Sequence, residues 1–136
     1  AVAPIAGSRT TLSHLVMAQP GAEAAHWGIS HGAGRKYDRK AMHGRVGATR
    51  SERDALRSNE WGGIAICDDR NLLIEEAAGA YKDAGKVVAE LASFGLLRPL
   101  ATLKPLVTYK AVEMARAERE NGRGRDRTTI RRMRHA

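Results

Sequence analysis

The 136 residues contain a single cysteine, Cys67. One thiol excludes an intramolecular disulfide and, with few soft ligands near it, a closed zinc site; a reducing cytoplasm is the simplest setting. Aromatic residues make up only 4% of the chain, so stacking platforms of the kind that hold single strands are not its main device. No apolar run approaches the roughly 20 residues of a membrane span. Nor is there a basic start followed by an apolar stretch, the mark of an export signal. The chain is therefore expected to be soluble and cytoplasmic, with no membrane partner. It opens on AVAPIAGSRT without an initiator Met, and these residues read as the interior of a fold, which leads us to expect one domain or part of one.

What is present is positive charge. The net charge is +8, which fits a polyanionic partner because neutralisation of phosphates by Lys and Arg dominates nucleic-acid affinity; an inert basic surface fits equally well. Residues 35–60 carry eight Lys and Arg against four acids. Within them Ser51-Glu52-Arg53-Asp54-Ala55-Leu56-Arg57 has an N-cap and helix-forming residues, so the segment reads as a basic turn and helix.

Elsewhere short strands and a few helices are expected, an α+β pattern. Leu12, Leu15, Val16 and Met17 between Gly7 and the Pro20-Gly21 turn suggest a strand. A second short strand is expected around Trp27–Ile29, and a buried one over Ile64-Ala65-Ile66-Cys67, with Cys67 as a core residue. Tyr81-Lys82-Asp83 opens a helical pattern through Val87, Val88, Leu91 and Phe94 that closes at Gly95. Leu100–Tyr109 reads as a final strand with Pro105 at an edge or bulge. Ala111–Glu120 is a good helix former. Residues 121–136 are Arg-rich and Gly-interrupted, and read as a disordered basic tail.

The most chemically suggestive stretch is Ser30-His31-Gly32-Ala33-Gly34-Arg35-Lys36. Small residues after the histidine let the backbone approach a large ligand, and N–H groups in a Gly-containing turn can cradle an anion beside Arg35 and Lys36. A neutral imidazole there is both a base and a nucleophile toward phosphorus. Read alone, the same spacing also fits an ordinary turn.

Four stretches taken together carry more. They are Ala6-Gly7-Ser8-Arg9 with Ser13 shortly after, Ser30-His31-Gly32-Ala33-Gly34-Arg35, Ala80-Tyr81-Lys82-Asp83, and Thr102-Leu103-Lys104-Pro105-Leu106-Val107-Thr108-Tyr109-Lys110-Ala111. In this order and spacing, over roughly residues 4–111, the sequence resembles the C-terminal part of the RtcB RNA ligases. The resemblance implies a C-terminal fragment of the RtcB-type fold over residues 1–110, followed by a helical and then basic tail over 111–136. It also implies a GTP- and manganese-dependent enzyme that joins RNA ends bearing a 2',3'-cyclic phosphate or 3'-phosphate to 5'-hydroxyl ends, in tRNA splicing or RNA repair.

By the same resemblance His31 is the nucleophile that takes up GMP, while Gly32, Ala33 and Gly34 close around the guanylate. Ala6, Gly7, Ser8, Arg9 and Ser13 occupy GMP-contacting positions, Tyr81 lies beside the base, and Lys110 recognises guanine. Relatives usually show Pro-Gly-Ser-Met where this chain has Ala6-Gly7-Ser8-Arg9, so Ala6 and Arg9 are departures. The family's manganese ligands lie upstream of the matched region and none falls in this chain; His14, His26, His43 and Cys67 match no ligand position. The fragment alone is therefore expected to be inactive. An archease-like activator or a release-factor homologue is an implied partner, the latter from the extension after Lys110. A non-catalytic, basic RNA-binding remnant is the alternative.

Overall fold

A computed structural model describes residues 1–110, and the expected helix at 111–120 and tail at 121–136 lie outside the described residues. The chain runs β1 (Val2–Ile5), β2 (Ser13–Ala18), a 3-10 turn (Pro20–Ala25), α1 (Arg39–Met42), α2 (Arg50–Ala55) and β3 (Ile64–Cys67). It continues through α3 (Arg70–Glu75), a second 3-10 turn (Ala78–Ala80), α4 (Ala84–Ser93), β4 (Leu97–Leu103) and β5 (Val107–Lys110). The fold is α+β, as the sequence pattern predicts.

Two small sheets organise it. In the first, β2 is flanked by β1 and β4, both antiparallel to it. Ile5, Val16 and Leu97 project from its three strands onto Val88 of α4, with Leu91 and Ile29 packed against them. Asp83 caps α4 by accepting from the backbone N–H groups of Gly85 and Lys86, satisfying donors that the first turn of a helix cannot pair internally. Past the helix, Gly95 takes φ +67°, the left-handed geometry of a C-terminal stop. Val88 is buried, whereas Phe94 is 69% exposed, so the apolar stripe ends one turn earlier than the pattern suggests.

In the second sheet β3 and β5 pair in parallel. Ala65 and Cys67 turn into the core, while Ile64, Ile66, Val107 and Tyr109 form an exposed apolar face. A second core cluster lies beneath α1 and α3, built from Met42, Ile74, Ala77 and Ala80 with Tyr37, Val46, Leu56 and Tyr81 around them.

Four sequence expectations need correction. The strand expected to be buried over Ile64–Cys67 is buried on one face only, since Ile64 and Ile66 are exposed beside β5. The helix read from Ser51 begins at Arg50, because the Thr49 side chain accepts from the Glu52 N–H and caps it. The strand expected at Trp27–Ile29 is irregular chain: His26 and Trp27 take φ of +51° and +60°, which turns the backbone sharply after the first 3-10 turn and breaks any ladder. The strand expected over Leu100–Tyr109 is two strands in different sheets. Pro105 has no N–H to donate, and around it the chain leaves β2 and crosses to β3. Asn59 fixes this crossing. Its Nδ2 donates to the carbonyls of Pro105 (2.7 Å) and Arg9 (3.0 Å), and its Oδ1 accepts from the N–H groups of Gly63 and Trp61.

Candidate functional site

The loop between β1 and β2 is shaped by backbone constraints. Gly7 donates to Ser13 Oγ at 3.0 Å, and Ser8 donates from its N–H to Thr11 Oγ1 at 2.7 Å. A Cβ on Gly7 would lie 2.2 Å from the Leu12 carbonyl oxygen, so only glycine fits. The loop thereby places Ser8, Arg9 and Ser13 on one side of a cavity.

The His31 segment is sewn between this loop and the Tyr81 segment by main-chain bonds. Ala6 N–H donates to the His31 carbonyl at 2.8 Å, and Ala6 pairs with Gly32 in a parallel bridge. On the other side Lys36 N–H donates to Ala80 O (2.7 Å), Lys82 N–H donates to Gly34 O (3.0 Å), and Arg35 pairs with Tyr81. Gly34 has φ +73°, a conformation that favours glycine. Three motifs distant in sequence therefore meet through obligatory backbone pairing.

The resulting cavity has a volume of about 310 Å³ and is lined by Gly7, Ser8, Arg9 and Ser13 from the first loop and by Tyr81 and Lys110. Those six are all residues singled out from sequence. Ala6, His31, Gly32, Ala33 and Gly34 do not line it; they form the adjoining strand-like segment, with the His31 side chain exposed. Glu76, Pro105 and Thr108 complete the wall, and sequence reading missed all three.

Glu76 is the electrostatic centre. Its side chain, 12% exposed, lies 3.3 Å from Arg35, 3.4 Å from Arg39 and 3.8 Å from Lys110, and its Oε2 also accepts from the Tyr81 hydroxyl. Burial alone would raise its pKa, but the Tyr81 hydrogen bond and the three cations outweigh it and hold the carboxyl below its ordinary value. Tyr81 is pushed up from its ordinary value by burial and by its bond to the Glu76 carboxylate. A group whose folded pKa is depressed stabilises the fold above its unfolded pKa, here close to 4.5, and that contribution is lost as pH falls through the folded value. The thermal midpoint is therefore expected to drop more steeply for wild type than for Glu76→Gln on going from about pH 5 to about pH 3; parallel curves would contradict this role.

Arg9 carries the other unusual charge. It is 7% exposed, one Nη donates to the Leu73 carbonyl, and its Nε and other Nη have no partner among the described residues. Burial pushes its pKa down from the ordinary value, while the ionisable groups of Cys67 and Glu76 oppose that shift. Unpaired buried donors are costly, and a guanidinium in a cavity wall suits an acceptor-rich ligand.

The cavity thus combines backbone and hydroxyl donors, two cationic side chains and a carboxylate, a set that suits a polar, acceptor-rich ligand. Among the described residues no group of three or more His, Cys, Asp and Glu side chains is placed to hold a metal ion.

Comparison with known proteins decides the family. The model of the tRNA-splicing ligase RtcB family matches residues 1–111. The chain belongs to the RtcB family. It is 41% identical over 106 residues to RNA-splicing ligase RtcB2 of Escherichia coli, covering 78% of this chain and 27% of that protein. It is 38% identical over 109 residues to an RNA-splicing ligase RtcB homologue of Entamoeba dispar, covering 78% of this chain and 20% of the relative. With tRNA-splicing ligase RtcB of Pyrococcus horikoshii it shares 31% over 108 residues, or 78% and 12% of the two chains. The chain thus spans about a quarter or less of the RtcB relatives it matches. Among its described residues no helix is long and apolar enough to cross a membrane.

Proposed function

We propose that this chain carries the nucleotide-transfer part of an RtcB-type RNA ligase, which uses GTP to join an RNA 3'-phosphate or 2',3'-cyclic phosphate end to a 5'-hydroxyl end. The observation that supports this best is that the 7–13 loop, Tyr81 and Lys110 line one polar cavity, while the His31 segment is held beside them by backbone hydrogen bonds to Ala6 and to the Tyr81 segment. Membership of a family whose relatives are described as RNA-splicing ligases supports it further.

In this reading the cavity holds the guanosine part of GTP. Lys110, at the end of β5, offers an ammonium donor to the base carbonyl, and the Gly7-Ser8 loop and Ser13 hold the ribose side. His31, exposed and hydrogen-bonded through its carbonyl to Ala6 next to the Gly7-Ser8 loop, is the group that would meet the α-phosphate. A nitrogen of the ring attacks the α-phosphorus; a P–N bond forms, the bond to the β-phosphate oxygen breaks, pyrophosphate leaves, and the ring gives up its proton. A 2',3'-cyclic end is first opened by water, which breaks the bond from phosphorus to the 2'-oxygen; a 3'-phosphate oxygen then takes the GMP, an O–P bond replacing the P–N bond as the His31 ring leaves. Attack by the 5'-hydroxyl forms the phosphodiester and releases GMP. Three displacements at phosphorus thus replace one difficult step.

Manganese, where bound, would neutralise the triphosphate and polarise the α-phosphate. No residue of 1–110 is assigned to it, and its ligands are proposed to come from the part of the ligase this chain does not span. By that account the chain alone is inactive. An archease-like activator and a release-factor homologue remain proposed partners.

The test is a joining assay with RNAs bearing 3'-phosphate and 5'-hydroxyl ends, supplied with GTP and manganese. It is run with the chain alone and with the chain assembled onto the complementary part of the E. coli RtcB2 relative. Joining only in the assembled sample is expected. A folded assembly that binds RNA yet never joins it would leave a non-catalytic RNA-binding module as the better account.

A further inference from the structure

The cavity's one carboxylate, Glu76, faces more cations than it can balance, and each partner comes from a different segment. Arg35 follows the His31 turn, Arg39 opens α1, Tyr81 follows the second 3-10 turn, and Lys110 ends β5. Glu76 itself closes α3 as its C-terminal cap, so it is fixed to the second core cluster through Ile74 and Ala77. We infer that Glu76 is a positioning residue for base selection, holding the Lys110 ammonium and the Tyr81 hydroxyl at the cavity wall in the one arrangement that discriminates guanine from adenine. This rests on the guanylate reading given above.

Two chemical features support it. A lysine side chain has four rotatable bonds and a spherical ammonium, so by itself it selects no direction; the carboxylate 3.8 Å away supplies one. Glu76 also compensates a concentration of positive charge. Without it Arg9 and Lys110 in the cavity wall, and Arg35 and Arg39 that pair with Glu76, would stand unbalanced, a field that attracts any nucleotide through its phosphate and favours none by its base. Removing the charge of Glu76 should therefore cost selectivity, not general affinity.

The experiment measures binding of GMP and of AMP to the wild-type chain, Glu76→Gln, Lys110→Met, the double variant, and Glu90→Gln as an exposed acid remote from the cavity. Wild type and Glu90→Gln should prefer GMP. In Glu76→Gln the preference should fall by about tenfold or more, the usual consequence of losing a charge-assisted contact, while AMP binding holds or tightens. The double variant should be no less selective than Lys110→Met, because Glu76 acts through Lys110, and Glu76→Asp should restore part of the preference.

An equal loss of GMP and AMP binding in Glu76→Gln would mean a merely structural role and overturn the inference, as would an unchanged preference. If wild type binds neither nucleotide, the guanylate reading fails by itself. The ultraviolet titration of Tyr81 then judges the positioning role separately, using Tyr81→Phe to isolate its signal from Tyr37 and Tyr109. Glu76, Arg35, Arg39, Lys110 and Arg9 are the charges around that phenol. Its ionisation should move to lower pH in Glu76→Gln, and an unmoved titration would overturn the inference.

Discussion

Replacing His31 with alanine is expected to abolish covalent uptake of label from α-labelled GTP by the chain assembled onto the complementary part of the E. coli RtcB2 relative. The loss should be complete, because His31 is the proposed nucleophile: Gly32, Ala33 and Gly34 offer none, the Arg35 guanidinium is engaged with Glu76 and with the Tyr37 and Glu75 carbonyls, the Ser30 hydroxyl donates to the Gly32 carbonyl, and the Lys36 ammonium lies over the Tyr37 ring. The backbone should be little disturbed, since the contacts that fix residue 31 run through its carbonyl to Ala6 and its side chain is exposed. The adduct in wild type should be labile to acid and stable to alkali, as a phosphoramidate is. Label retained in the alanine variant would move the nucleophile elsewhere and undo the assignment of His31.

A second large effect is expected at Ile5. It is fully buried between β2, β4 and α4, against Val16, Val88 and Leu97. Truncation to alanine removes three carbons from a close-packed cluster and leaves a cavity, at a cost of about 2–5 kcal/mol. For a domain of this size that is a large share of the roughly 5–15 kcal/mol available. Ile5 also adjoins Ala6, whose N–H holds the His31 carbonyl, so weakening β1 should loosen the His31 segment together with the core. Urea unfolding of wild type and Ile5→Ala measures the difference, with Phe94→Ala as an exposed reference expected to change stability by no more than about 0.5 kcal/mol. A cost at Ile5 below about 1 kcal/mol would contradict the packing described.

The parts of the site that sequence reading reaches are those where the chemistry is local. Glycines forced by close approach at Gly7 and by left-handed backbone at Gly34, the exposed His31, and Tyr81 and Lys110 are each visible in a short motif, and the structure brings them together. Glu76 is not visible in this way. It follows Glu75 at the end of a short helix, where two adjacent acids read as a solvated surface, and its role arises only because Arg35, Arg39 and Lys110 come within 4 Å of it. A signal existed: the Arg35 and Arg39 pair beside a lysine-ended strand needs a counter-charge if it is to be even partly buried.

The secondary structure follows the same division. The strand at Ile64–Cys67 and the helix ending before Gly95 are set by local pattern, and both form. The 100–109 segment is not, because alternation cannot say which sheet a strand joins; Pro105 marks the break, and Asn59, 46 residues earlier, holds it. At Trp27 the consecutive left-handed residues override a β-forming composition.

The most direct measurement of the central claim is a titration of the isotopically labelled chain with GMP, followed by amide chemical shifts. The account predicts perturbations concentrated at Gly7, Ser8, Ser13, Tyr81 and Lys110, around the one cavity these residues line. Shifts confined to the basic residues between Lys36 and Arg57, with the cavity silent, would show a general polyanion-binding surface and contradict a nucleotide site.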